Sequence, residues 1–127
     1  MAFTSDEINR IWNKGIVVDG YDPALVRKDA CGAWIIKNQY DRPDSEYCWE
    51  IDHIYPQSKL QEKGYPQNMI DHEDNLRPMH RRNNESKSNN YPNYKASVTS
   101  DGEHNVDKTQ EFTVNQNIQQ ILSDLYR

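Results

Sequence analysis

The sequence holds only two cysteines, Cys31 and Cys48, in 127 residues. Two thiols do not make the disulfide framework that staples small secreted domains, so a reduced, intracellular protein is expected. Long apolar runs are also missing. Nothing approaches the roughly 20 consecutive apolar residues of a membrane-spanning helix, and no membrane partner is expected. The opening "MAFTSDEINR" has neither a basic flank nor an apolar stretch, so no signal peptide is read there and the cytoplasm is the expected location. Apolar residues are scarce throughout. They make up 35% of the chain with tyrosine counted, and the mean hydropathy is −1.09, which predicts a small core and many loops. Aromatic residues compensate in part: 3 Trp and 8 Tyr, each able to bury a large area. The length supports one core, so residues 1–127 are expected to form a single domain. No repeat, linker or low-complexity segment divides it.

The formal net charge of −5 weighs against nucleic acid as a partner. Its distribution weighs the other way. Residues 76–95, "LRPMHRRNNESKSNNYPNYK", carry Arg77, Arg81, Arg82, Lys87 and Lys95 against Glu85 alone, four net positive charges that leave nine negative ones elsewhere. A local basic patch on an acidic protein can still contact phosphate. Taken alone, a solvated basic helix face is the simpler reading.

Thr4 followed by Glu7 forms a capping box, and Ile8, Ile11 and Trp12 recur at helical spacing. "FTSDEINRIWNKG" is therefore a helix stopped near Gly15. Asp22 with Pro23 behind it predicts a second short helix over "DPALVRKD". "CGAWII" (31–36) and "YCWEIDHI" (47–54) are aromatic and β-branched, and the turn-rich "DRPDSE" between them predicts a hairpin. From Pro56 to Asp74 a polar stretch with Gly64 and Pro66 predicts a long loop, which inside a compact domain is usually functional or mobile. "NLRPM" (75–79) reads as a short strand ending at Pro78, and "HRRNNESKSNN" as a helix ended by Tyr91–Pro92. That helix has almost no apolar face and asparagine is a mediocre helix former, so something other than apolar burial must hold it. Asp101–Gly102 is a hairpin turn signal and "TQEFTV" a strand. Ile118, Ile121, Leu122 and Leu125, behind the candidate cap Asn115, define an amphipathic helix expected to pack on the core.

Asp52 and His53 stand side by side where the strand ends. Asn75, His80, Asn83, Asn84 and Lys87 follow, at a loop exit and on the polar helix. If this strand, the "NLRPM" strand and the helix pack together, these side chains converge on a platform for one ion. The Asp52 carboxylate and the Asn84 amide offer the oxygen donors that a hard divalent cation takes. Two protein ligands leave positions for water and a substrate phosphate. Histidine is the side chain suited to take a proton from water at physiological pH, which fits His53 as a base. Arg81, Arg82 and Lys87 would bring positive charge to a phosphodiester. The parts match metal-assisted phosphodiester hydrolysis.

At these residues, "EIDHIYPQS…DNLRPMHRRNNESKSN" resembles the motif of the HNH endonucleases, the ββα-metal or His-Me finger nucleases. Its order and spacing also resemble the HNH domain of CRISPR effector nucleases. The likeness covers about residues 49–90. It implies an α+β fold, with a ββα-metal (His-Me finger) core, N-terminal helices and a C-terminal hairpin and helix. It implies His53 as the general base, with Asn75 fixing the loop that orients it. Asp52 and Asn84 would hold one Mg²⁺ or Mn²⁺, and Lys87 would approach the scissile phosphate. The implied partner is DNA, met at its phosphate backbone by Arg77, Arg81, Arg82 and Lys87. The implied products carry a 5′-phosphate and a 3′-hydroxyl. A monomer with one site should nick one strand. With no helix-turn-helix or zinc-finger module in view, sequence specificity should be low, and a phage or restriction-system protein is an expected further partner.

Many members of that family also hold a structural zinc between two C-x-x-C pairs. The matching places here read Cys31-Gly-Ala-Trp34 and His80-Arg-Arg-Asn83. Only Cys31 and His80 could ligate, short of the four ligands of a closed site, so no structural zinc is expected and Trp34 is expected to fill the space. Adjacent strand residues face opposite sides, so Asp52 and His53 can serve one site only if the strand twists or ends there. Glu50 shares the Asp52 face, as a neighbour of the ion's ligands or a plain salt-bridge partner. Arg81 and Arg82 either bind DNA or only solubilise the helix. Asn83 reads as a surface amide, and His72 and His104 as solvated loop residues. Two competing readings remain: a catalytically weak nucleic-acid-binding or interaction module on the same fold, and a nuclease acting on RNA or structured DNA.

Overall fold

The computed structural model describes residues 3–127. Helix α1 spans Ser5–Trp12 and begins with the reciprocal capping box of Thr4 and Glu7. Its inner face buries Ile11 and Trp12 completely. Asp22 then caps one turn only: its Oδ1 accepts the Ala24 N–H and its carbonyl accepts those of Leu25 and Val26. The helix expected over "DPALVRKD" does not propagate, because Val26 enters strand β1 (Val26–Lys28), which pairs antiparallel with β2 (Trp34–Ile36). A β-branched residue gains more on that pleated surface than in a short helix.

The hairpin expected between residues 31–36 and 47–54 is absent. Strand β3 (Trp49–His53) pairs instead with β4 (Leu76–His80), antiparallel, with Trp49 opposite His80 and His53 opposite Leu76. The alternation in "WEIDH" gives each face of this pair its own surroundings. Trp49 and Ile51 join Ile11, Trp12, Ile35 and Leu76 in one apolar cluster. On the other face, Met79 joins a second cluster with Ile54, Leu60, Ile70, Tyr94 and Leu122. The β3–β4 pair thus separates two small cores, which is how a chain so poor in apolar residues buries both sides of one sheet. Strand β4 runs through Pro78 to His80, past the expected stop. In a two-stranded sheet a proline is tolerated on the unpaired edge.

The long polar stretch is not structureless. It folds into α2 (Gln57–Glu62), α3 (Gln67–Ile70) and a 3₁₀ turn at 73–75, anchored by the buried side chains of Leu60 and Ile70. Helix α4 (Arg81–Lys87) follows β4 without a break and stops at Ser88, whose φ is 50°. That is before the expected Tyr91–Pro92. Strands β5 (Asn93–Asp101) and β6 (His104–Thr113) form a hairpin turning at Asp101–Gly102. There Gly102 has φ +61° and nothing near its missing side chain. Helix α5 (Gln116–Leu125) starts at the Asn115 cap. Leu122 is buried, but Ile121 is 47% exposed, so the apolar stripe is not wholly core. The result is an α+β fold with five helices and three two-stranded antiparallel sheets among the described residues. Among them no helix is long and apolar enough to cross a membrane.

Candidate active site

Because α4 follows β4 directly, the end of β3, the start of β4 and the polar helix meet in one region. Buried hydrogen bonds hold the helix where apolar contacts are few. Asn83 is not a surface amide but fully buried. Its Nδ2 donates to Asp29 Oδ2 and to the Val98 carbonyl, both at 3.0 Å. Its Oδ1 accepts the N–H groups of Ser97 and Val98, both at 2.9 Å. Asp29, also fully buried, accepts the Cys31 and Ala33 N–H groups at Oδ1 and the His80 N–H at Oδ2. A buried carboxylate needs such donors in place of water. Asp29 therefore ties the turn at residues 31–33 to the start of α4, between Cys31 and His80, the two candidate zinc ligands. Trp34 is buried. Its ring lies against Tyr21 and below the Lys28 ammonium, and its Nε1 donates to the Gly102 carbonyl at 2.6 Å.

Asp52, Arg77 and Lys87 form a buried triad. Asp52 Oδ2 lies 2.9 Å from Arg77 Nε and Oδ1 lies 3.3 Å from Lys87 Nζ. Lys87 Nζ also donates to the carbonyls of His53 and Ile54, at 3.1 and 3.0 Å. Both cations lie over the Tyr94 ring. Burial lowers the pKa of Lys87, and the Asp52 charge opposes that shift. This arrangement differs from expectation at three positions. Asp52 faces two cations rather than an open ion site. Lys87 has no exposed side-chain surface with which to reach a phosphate. Arg77 is buried in the same cluster and is not free to bind DNA. The register explains the Asp52–Arg77 pair, and α4 brings Lys87 to it. Asp52 and Arg77 are directly opposite across β3–β4, and a buried carboxylate without a cation would be strongly destabilising.

His53 points to the other side, as strand alternation requires. Its side chain is 19% exposed, and its Nε2 lies 2.7 Å from Oδ1 of Asp71, which is 12% exposed. Nδ1 has no hydrogen-bond partner among the described residues. Asn75 is fully buried and clasps the backbone just beyond His53. Its Oδ1 accepts the Tyr55 N–H at 2.7 Å, and its Nδ2 donates to the carbonyls of Tyr55 (3.1 Å) and Ile70 (3.3 Å). The Asn75 carbonyl accepts the Ile54 N–H at 2.8 Å.

Asn84 does not share a partner with Asp52. Its Nδ2 donates to Glu50 Oε1 at 3.0 Å, and both residues are partly exposed. No group of three or more His, Cys, Asp or Glu side chains able to hold a metal ion occurs among the described residues. The donor chemistry nonetheless discriminates. Asp52 has both oxygens committed to cations and does not fit a ligand's place. Glu50 and Asn84 touch, are reachable, and carry the hard oxygen donors that Mg²⁺ or Mn²⁺ takes beside water.

The remaining basic residues lie outside. Arg81 pairs with Glu85 at 2.7 Å, and Arg82, 43% exposed, pairs with Asp107 at 2.6 Å. Exposed pairs of this kind contribute little and can exchange partners. His72 and His104 were expected as solvated loop residues, but His72 is only partly exposed and its Nδ1 accepts the Asp74 N–H at the 3₁₀ turn, while the exposed His104 opens β6 and lies 3.4 Å from Glu46. The sequence reading missed Asp29 and Asp71. Asp71 sits in the polar stretch between β3 and β4, and no spacing marks it in a single sequence. Comparison with known proteins finds no matching family model, no similar curated protein and no similar solved structure.

Proposed function

We propose that this chain is a divalent-metal-dependent endonuclease of the HNH type that hydrolyses DNA phosphodiester bonds. It acts as a cytoplasmic monomer that nicks one strand with low sequence specificity and leaves 5′-phosphate and 3′-hydroxyl ends. The observation that carries this reading is His53: a partly exposed imidazole at a strand end, engaged at Nε2, free at Nδ1, with the backbone beyond it clasped by Asn75. A positioned histidine next to solvent is what abstraction of a proton from water requires. Nδ1 of His53 takes that proton, and the Asp71 carboxylate faces the imidazolium that forms. Arg82 and Arg81, released from their surface partners, contact backbone phosphates and give sequence-poor binding. Glu50 and Asn84 would hold the Mg²⁺ or Mn²⁺, which when bound supplies positive charge to the phosphodiester and to the departing oxygen.

A second reading, a nucleic-acid-binding or interaction module without catalysis, draws on the closed Asp52–Lys87–Arg77 cluster. That cluster removes three of the residues expected to face substrate. Incubation of supercoiled plasmid with Mg²⁺, Mn²⁺, Zn²⁺ or EDTA separates the two. Ion-dependent open-circle product, lost in His53→Ala, is expected. DNA binding without cleavage under any ion selects the module, and cleavage confined to RNA or branched DNA changes the substrate. Binding of Mn²⁺ followed by its electron paramagnetic resonance should weaken more in Glu50→Gln than in Asp52→Asn. The reverse order would return the ligand role to Asp52.

A further inference from the structure

His53 and Asp71 are 18 positions apart in sequence and 2.7 Å apart in space. Gln67 holds Asp71 there, and Gln57 and Tyr126 hold the helix that carries both. Gln67, one turn earlier on α3, donates from Nε2 to the same Asp71 oxygen at 3.1 Å. Gln67 Nε2 also donates to Gln57 Oε1 at 2.8 Å, which ties α3 to the start of α2. The Asp71 N–H closes α3 by bonding to the Gln67 carbonyl. From the far side, the hydroxyl of Tyr126, just beyond α5, donates to the Met69 carbonyl at 2.7 Å. The polar stretch between β3 and β4 thus folds around one carboxylate and aims it at one imidazole nitrogen.

We infer that Asp71 is the positioning residue of the site. It accepts the Nε2 proton of His53, holds the imidazole in that tautomer and leaves the Nδ1 lone pair directed to solvent. The inference rests on the nuclease reading for its catalytic meaning, but the pairing itself does not. A carboxylate can only accept a hydrogen bond from a neutral imidazole, so it selects the protonated nitrogen. It also faces the cation that forms once Nδ1 takes a proton. In the alternative tautomer the bare nitrogen would face Asp71, and neither group could serve the other. Asn75 fixes the backbone behind the ring, and Asp71 fixes the ring itself.

The test uses the full chain without added metal. Imidazole ¹⁵N shifts of the native protein should show His53 protonated at Nε2 and bare at Nδ1. Asp71→Asn, whose amide can accept or donate, should give a mixture of tautomers, while Asp71→Glu should restore the native signature in part. In plasmid nicking, measured separately with Mg²⁺ or Mn²⁺ added, Asp71→Asn should lower kcat about 10- to 100-fold, less than the roughly 10²–10⁴-fold that a general base contributes outright, with KM little changed. A His53 signature that is the same in native protein and in a folded Asp71→Asn overturns the inference, as does an unchanged kcat. If the native chain shows the Nε2-protonated signature but cleaves nothing, the nuclease reading fails while the pairing stands.

Discussion

Asn75 grips Tyr55 by both backbone groups, accepting its N–H at 2.7 Å and donating to its carbonyl at 3.1 Å. Tyr55 lies two residues beyond His53, so the amide sets the path of the chain as it leaves β3. Asn75→Asp tests this grip, because it preserves shape and the accepting oxygen. It replaces the donor with an acceptor that faces two carbonyls, those of Tyr55 and Ile70. The expected loss of stability is about 2–4 kcal/mol, read by urea unfolding, from lost hydrogen bonds and an unpaired buried charge. Nicking should fall with it. A variant of native stability would show that the grip holds nothing.

Lys87 belongs to the core of the site and not to its mouth. Removing the ammonium leaves Asp52 with Arg77 alone and strips the His53 and Ile54 carbonyls of their donor. Lys87→Met, which keeps the stem, should destabilise by about 2–4 kcal/mol, from carbonyls left without a donor while Asp52 keeps Arg77. The double variant with Asp52→Asn should cost less than the two single changes together, since it leaves one buried cation, Arg77, without a carboxylate where Asp52→Asn alone leaves two. Native stability combined with weakened DNA binding would instead place Lys87 on the phosphate.

The sequence made particular parts of this legible and hid others for physical reasons. The α1 capping box, the Asp101–Gly102 turn and the Asn115 cap are local signals, and each sits where its chemistry predicts. Strand pairing is not local. Nothing within "YCWEIDHI" says that its partner is "LRPMH", far along the chain, rather than "CGAWII" before it. Side-chain direction was also hidden. Alternation put Asp52 and His53 on opposite faces, but only the register with Arg77 shows that the Asp52 face is closed. Asn83 looked exposed because its helix has no apolar stripe. In fact the helix is held by that amide and by Lys87, so polarity there marks burial. Asp71 had no signature, since an acid in a polar loop is common.

The two outer arginines and the buried one should separate in salt. If the protein meets DNA through phosphates, Arg82→Ala should reduce the slope of log affinity against log salt concentration by about 0.9 and leave the unfolding midpoint nearly unchanged. Its present partner, Asp107, is itself exposed. Arg77→Ala should do the opposite. It leaves Asp52 with one cation fewer in a buried cluster, so the midpoint should drop, with the salt slope of the folded fraction unchanged. Filter binding across a salt series, with thermal unfolding of the same samples, reads both. Equal slopes in native protein and Arg82→Ala would remove that arginine from the interface.

Alkaline pH should weaken the fold through Cys31. Burial, and next the charge of nearby Asp29, push its thiol up to about 12, from an ordinary value of 9.0. Between those values the unfolded chain releases the thiol proton and the native protein keeps it. The native state then binds more protons, so stability falls as pH rises through the window. Each pH unit there costs about 1.4 kcal/mol per group. Tyr94 and Tyr126, whose hydroxyls burial also pushes up, add the same sign only above their ordinary value of 10.0. The interval just above pH 9 therefore isolates the thiol from these two tyrosines. Cys31→Ala should be less stable than native protein at neutral pH, because it leaves a small cavity beside Tyr94. Its urea midpoint should then decline less steeply above pH 9, so that the two curves converge. Parallel curves through that interval would mean that Cys31 ionises as easily in the native protein as in the unfolded chain.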